Sequence, residues 1–89
     1  MADYTAENAV HATLSANEND TIELNFAGEI VIYNRGLDDI YARLDGNDAV
    51  VSGENCHIIP AGDNKHFGTP NPNVHLISAG TPAYSVENI

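Results

Sequence analysis

The chain has no tryptophan, one cysteine (Cys56) and one lysine (Lys65) in 89 residues. A single cysteine excludes an intrachain disulfide, so this is not a small secreted scaffold held by bridges, and a reducing cytosol is expected. Three basic residues against thirteen acids give a formal net charge of −10. That balance repels a nucleic-acid backbone, whose binding needs clustered Lys and Arg. It repels an anionic membrane for the same reason. The opening stretch MADYTAENAV carries acids and no bases, and no long apolar run follows. Neither a signal peptide nor a transmembrane segment is expected. What the charge favours is solubility and attachment to a basic or neutral protein surface.

What is present is strand texture. The apolar fraction is 43%, ordinary for a globular chain, and the length fits one domain. VHATL alternates Val10, Ala12 and Leu14 against His11 and Thr13, and TIELNF alternates Ile22, Leu24 and Phe26 against Glu23 and Asn25. Period two marks half-buried strands. EIVIYN is apolar on both faces, so it is expected as a central strand. IYARL, AVV, CHII, VHLI and YSV complete the set. The best helical candidate, DYTAENAVHATL, is diluted by Thr and Val. The expected fold is all-β: a small antiparallel β-sandwich or barrel of about seven or eight short strands. Residues 1–8 are expected as an N-terminal arm and residues 9–89 as the single sandwich domain.

Turns and cross-strand pairs account for both arginines and most of the aspartates. Asp45-Gly46 in LDGN suits a two-residue hairpin with positive φ, which sets Arg43 opposite Asp48, Tyr41 opposite Val50 and Ile40 opposite Val51. NRGL is a second turn, with positive φ expected at Gly36. FAGE is a third. IPAG reads as a type I turn with Pro60 second and Gly62 fourth. Residues 60–73, PAGDNKHFGTPNPN, form a long irregular stretch, expected as a functional loop.

No constellation calls for catalysis or a cofactor. Asp38, Asp39, Asp45 and Asp48 do not fall in the register of a calcium loop. His11, His57, His66 and His75 lack zinc-ligand spacing, and no second cysteine joins Cys56. Cys56 and His57 are adjacent, so on a strand they point to opposite faces. A buried, unreactive thiol is expected. No enzyme activity, metal or cofactor is therefore expected. Phe67 lies beside Lys65 and His66 among Gly and Pro, and reads as an anchor into a partner. Tyr4 and Val10 are the apolar side chains an ordered arm would bury on a neighbour. Tyr4, Val10, Lys65, His66 and Phe67 are thus the expected partner-binding residues.

The succession EIVIYNRGLDDIYARLDG, CHIIPAG and VHLISAGTPAYSVE resembles small β-sandwich structural proteins of tailed bacteriophages, over roughly residues 21–87. The resemblance implies a virion component without catalytic residues: a capsid decoration protein that binds the major capsid protein and stabilises the outside of the head. It also implies assembly in the host cytoplasm and a homo-oligomer such as a trimer. A tail or head–tail junction subunit is the related alternative. A carbohydrate-binding module for host attachment is the alternative of another class, and it requires an aromatic platform from Tyr33, Tyr41 and Tyr84.

Overall fold

The alternation in the sequence resolves into two sheets packed face to face. The computed structural model describes residues 2–68 and 71–89. Among them are nine strands and no helix: β1 Asp3–Ala6, β2 Ala9–Thr13, β3 Asp20–Leu24, β4 Ile30–Asn34, β5 Ile40–Arg43, β6 His57–Ile59, β7 Asn64–Phe67, β8 Asn73–Ile77 and β9 Ala83–Asn88. One sheet has the order β1-β3-β8-β5-β6, the other β2-β9-β4-β7. The pairings are antiparallel except β1 with β3, which is parallel. The chain is the small all-β sandwich its pattern implies.

Successive strand residues point to opposite faces, so alternate positions line the interior. The five-stranded sheet contributes Ala6, Ile22, Leu24, Ile40, Ala42, Ile59, Val74 and Leu76; the other contributes Val10, Leu14, Ile30, Ile32, Tyr84 and Val86. Each large side chain so buried stabilises the fold by roughly 1.5–3 kcal/mol before chain entropy is set against it. β4 is interior to its sheet, between β9 and β7, as its two apolar faces require. Both Val31 and Ile32 are buried.

Two polar ties cross the core. The Tyr84 hydroxyl on β9 donates to Asp20 Oδ2 on β3 at 2.9 Å. The other Asp20 oxygen accepts from the backbone N–H of Ala2 at 3.3 Å, so the same carboxylate holds the start of β1. At the far side, Asn34 Nδ2 on β4 donates to the carbonyls of Asp38 and Ile59 at 2.7 and 2.9 Å. Its Oδ1 accepts from Gly36 N–H at 3.0 Å.

Several expectations need correction. The stretch taken as an arm contains β1, an edge strand whose Ala6 is fully buried. Met1 of that stretch lies outside the described residues. The Asp45-Gly46 hairpin does not form, although Gly46 has φ +87°. β5 ends at Arg43 and pairs with β6 and β8, so Ile40 faces Ile59, Tyr41 faces Ile58 and Ile77, and Arg43 faces His75. Asp45 explains part of this. It accepts from Arg43 Nε and Nη2 at 2.8 and 3.0 Å and from Asn47 N–H at 3.1 Å, which turns the guanidinium away from Asp48. Residues 44–56 instead fold over the outer face of the five-stranded sheet. Ala49 is buried there, bracketed by Asn19, which donates to its carbonyl at 2.9 Å and accepts from its N–H at 2.8 Å. The AVV stretch is therefore not a strand.

Gly36 is required for a different reason than positive φ. A Cβ at Gly36 would stand 2.4 Å from Pro82 Cβ. The IPAG turn is shifted by one: Asp63 N–H donates to the Pro60 carbonyl at 3.0 Å, so Pro60 is first and Gly62, at φ +76°, is third. FAGE does turn the chain, but it links strands of different sheets. The stretch 60–73 is not one irregular loop, because its residues Asn64–Phe67 form β7 against β4. Thr69 and Pro70 of that stretch lie outside the described residues.

Candidate functional site: the open rim at β1

The sandwich has two rims. At one, β6 and β7 meet and close on each other. Lys65 faces inward opposite Ile32, and its Nζ donates to the free carbonyl of Ile58 on β6 at 3.3 Å. The Phe67 ring meets His57 edge-on at 5.1 Å. At the other rim lie β1 and β2, and this one stays open. Tyr4 is opposite the fully buried Ile22, yet is itself 36% exposed.

The backbone of β1 has a free side. Ala2 and Ala6 carbonyls accept from Thr21 and Asn25 N–H groups, each at 2.9 Å. In a parallel ladder alternate residues turn both backbone groups to the same neighbour. Ala2, Tyr4 and Ala6 therefore face β3, while Asp3 and Thr5 direct N–H and C=O away from the sheet. Their side chains stand on the outer face, in line with Thr21 and Glu23. Asp3, Tyr4 and Thr5 of β1, Thr21 and Glu23 of β3 and Asn73 of β8 line an open depression of about 260 Å³. The carboxylates of Asp3 and Glu23, the hydroxyls of Thr5 and Thr21 and the amide of Asn73 surround it on the outer face. Glu7 stands just beyond β1, held by Asn25 Nδ2 at 2.9 and 3.1 Å.

The five residues expected to bind a partner do not form one surface. Tyr4 lies at the open rim. Val10 is in the core, because its position on β2 points inward. Lys65, His66 and Phe67 lie on β7 at the opposite rim. Phe67 pairs with Ile30 on the inward side and packs on the core, so its ring fills the sandwich and is not a free anchor. His66, opposite Val31 on the outer face, is exposed. The turn glycines and Asp45 serve the frame as described above.

Among the described residues no group of three or more His, Cys, Asp or Glu is placed to hold a metal ion. Cys56 is half-buried and precedes β6, so it is not a buried strand thiol. One pair escaped the sequence reading: His11 Nδ1 and Ser85 Oγ lie 2.7 Å apart across β2 and β9. Ser85 Oγ also accepts from Arg35 Nε at 2.9 Å, and Arg35 Nη2 donates to the Tyr84 carbonyl at 3.2 Å. Ser85 is only 2% exposed beneath that guanidinium, so the pair braces the sheet and offers no approach to a substrate. The tyrosines make no platform. Tyr84 is in the core, Tyr33 is on the outer face of one sheet, and Tyr41 is on that of the other, beside Ser52. The sugar-binding expectation fails on this geometry.

The titratable groups support a structural assignment away from β1. Hydrogen bonds from Arg43 and then from the Asn47 backbone hold the Asp45 carboxyl well below the usual range. Asp45 in turn raises Arg43. Burial, then the Asp20 carboxylate, pushes the Tyr84 hydroxyl up.

No protein-family model matches the sequence, and no curated protein matches it. Among solved structures the chain is similar to a mutant of PliG-Ec, a periplasmic inhibitor of g-type lysozyme from Escherichia coli. The identity is 16% and the TM-score 0.40, over 96% of this chain and 94% of that one. The capsid-decoration reading, with its tail and junction variants, is withdrawn: the comparisons name no virion protein, and the neighbour they name is a periplasmic enzyme inhibitor. It gives this chain no activity of its own.

Proposed function

We propose that the chain is a non-catalytic binding module that attaches to a basic protein surface through the open rim at β1. The carrying observation is the depression flanked by Asp3 and Glu23, on a chain with thirteen acids and three bases. The few cations are placed elsewhere. Arg35 is spent on Ser85 and the Tyr84 carbonyl, Arg43 on Asp45, and Lys65 on the Ile58 carbonyl. Among the described residues no lysine or arginine pairs with Asp3 or Glu23. Hydroxyl and amide neighbours solvate an incoming ammonium or guanidinium, and the exposed Tyr4 ring, on the inward side of the same rim, offers contact to apolar side chains of the partner. Long-range attraction from the net charge accelerates encounter with a basic partner.

The test is binding of a lysine-rich peptide to the native chain, followed by nuclear magnetic resonance at low and high salt. Shifts are expected at β1, β3 and Asn73, weakening as salt screens the charges. The double variant Asp3→Asn/Glu23→Gln is expected to fold normally and to bind at least about tenfold more weakly, the scale of charge-assisted contacts. Unchanged binding by that variant, or shifts centred on the β6/β7 rim, refutes the assignment.

A further inference from the structure

Of the four edge strands, β1 alone combines an unblocked edge with charge. β6 has only three residues, and its Ile58 carbonyl is taken by Lys65. β7, its neighbour at the same rim, carries that lysine, a residue that blunts edges against strand addition. β2, Ala9–Thr13, contains no acid. β1 has no proline, three consecutive exposed residues, and outward-directed backbone groups at Asp3 and Thr5. Its flank is acidic: Asp3 on the strand, Glu7 just after it and Glu23 on the neighbouring strand.

From this we infer that the partner binds by strand addition: an extended segment with Lys or Arg at every second position pairs with the free edge of β1. The inference rests on the proposed function and specifies how the partner is held. The main-chain groups of Asp3 and Thr5 supply the ladder, and alternate side chains supply selection. Neighbouring strands lie about 4.8 Å apart, so outward side chains of the added strand stand directly beside Asp3 and one further strand from Glu23. A lysine or arginine stem spans that gap into the depression. Inward side chains of the same segment meet the exposed ring of Tyr4 at the rim. A second copy of this chain is the wrong occupant, because Asp3 and Glu7 of one copy would face the same acids of the other across a closely spaced ladder.

The probe is a short acetylated peptide of alternating lysine and valine. Its companions are the same peptide with N-methyl groups on alternate backbone amides and an analogue with glutamate for lysine. Resonance shifts and calorimetry read the affinity; circular dichroism and sedimentation read folding and association. The parent peptide is expected to bind, and N-methylation along one edge is expected to weaken it at least about tenfold by removing ladder donors. Thr5→Pro removes an outward N–H from an edge strand, where proline is tolerated, and is expected to weaken binding similarly. The N-methyl series keeps the test valid even where that variant folds poorly. If N-methylation and Thr5→Pro leave affinity intact while Asp3→Asn/Glu23→Gln lowers it, strand addition is overturned and the charge reading stands. If the glutamate analogue binds as well as the lysine one, both are overturned. Failure of the lysine peptide to bind at all, or sedimentation showing a dimer abolished by Thr5→Pro, also overturns strand addition by a basic segment.

Discussion

Tyr84→Phe is the sharpest test of how the two sheets are joined. The substitution keeps the ring, which is fully buried, and removes one hydroxyl. Asp20 Oδ2 then loses a donor at 2.9 Å in a site where Asp20 itself is 2% exposed. A hydrogen bond to a charged group contributes about 1.5–3 kcal/mol, and a buried acceptor left unsatisfied forfeits that amount. For a domain of this size each kcal/mol moves Tm by roughly 4–8 °C, so a fall of about 6–24 °C is expected. Urea unfolding followed by circular dichroism should show a lower midpoint with an unchanged slope. Adding Asp20→Leu to Tyr84→Phe removes both polar partners, and the double variant should recover stability relative to Tyr84→Phe alone. The pH dependence has a definite sign. Burial and Asp20 raise the folded-state pKa of Tyr84 above its ordinary 10.0. The associated stability is fully present below the unfolded-state value and is lost as pH rises above it toward the folded-state value. Tyr84→Phe should flatten that alkaline decline. A variant within about 0.5 kcal/mol of the parent, or a double variant no better than the single, refutes the tie.

Two further outcomes are expected. Gly36→Ala should destabilise the domain by about 1–3 kcal/mol in urea unfolding, since its Cβ would stand 2.4 Å from Pro82 Cβ and the backbone must shift. Asn19→Ala should free the stretch 44–56 from the outer face by removing both bonds to Ala49, which hydrogen exchange reads as faster exchange at Ala49 with the β9 amides unchanged.

Period-two alternation identified the inward faces of β2 and β3 because half-burial leaves its mark on sequence directly, and the doubly apolar EIVIYN identified β4 as interior to its sheet. Partner choice did not. LDGN has the chemistry of a hairpin, and Gly46 does take positive φ, yet β5 chose β6 and β8. Turn preference is local, whereas strand order is set by which apolar faces meet across the core. The open rim was legible only in part. Tyr4 stood out as an aromatic near the start, but its neighbours Thr21, Glu23 and Asn73 arrive from β3 and β8. Phe67 misled for a related reason: glycine and proline nearby suggest a loop, while the ring sits opposite Ile30 in a strand. His11 and Ser85, nearly the whole chain apart, carry no spacing signal at all.

The position of β9 has a kinetic consequence. It lies between β2 and β4, and those two strands share no hydrogen bond without it. A chain emerging from its N-terminus thus holds β2 and β4 apart, each with an unpaired edge, until the ninth strand arrives. Val10 must then find Val86 across most of the sequence. Closure of so long a loop places folding in the slow range of β-sandwiches, about milliseconds to seconds. Amide protection in β2 and β4 should consequently appear together, in one step with β9. A fragment that stops before Ala83 would expose two apolar strands at once, and its fate is aggregation rather than a smaller fold.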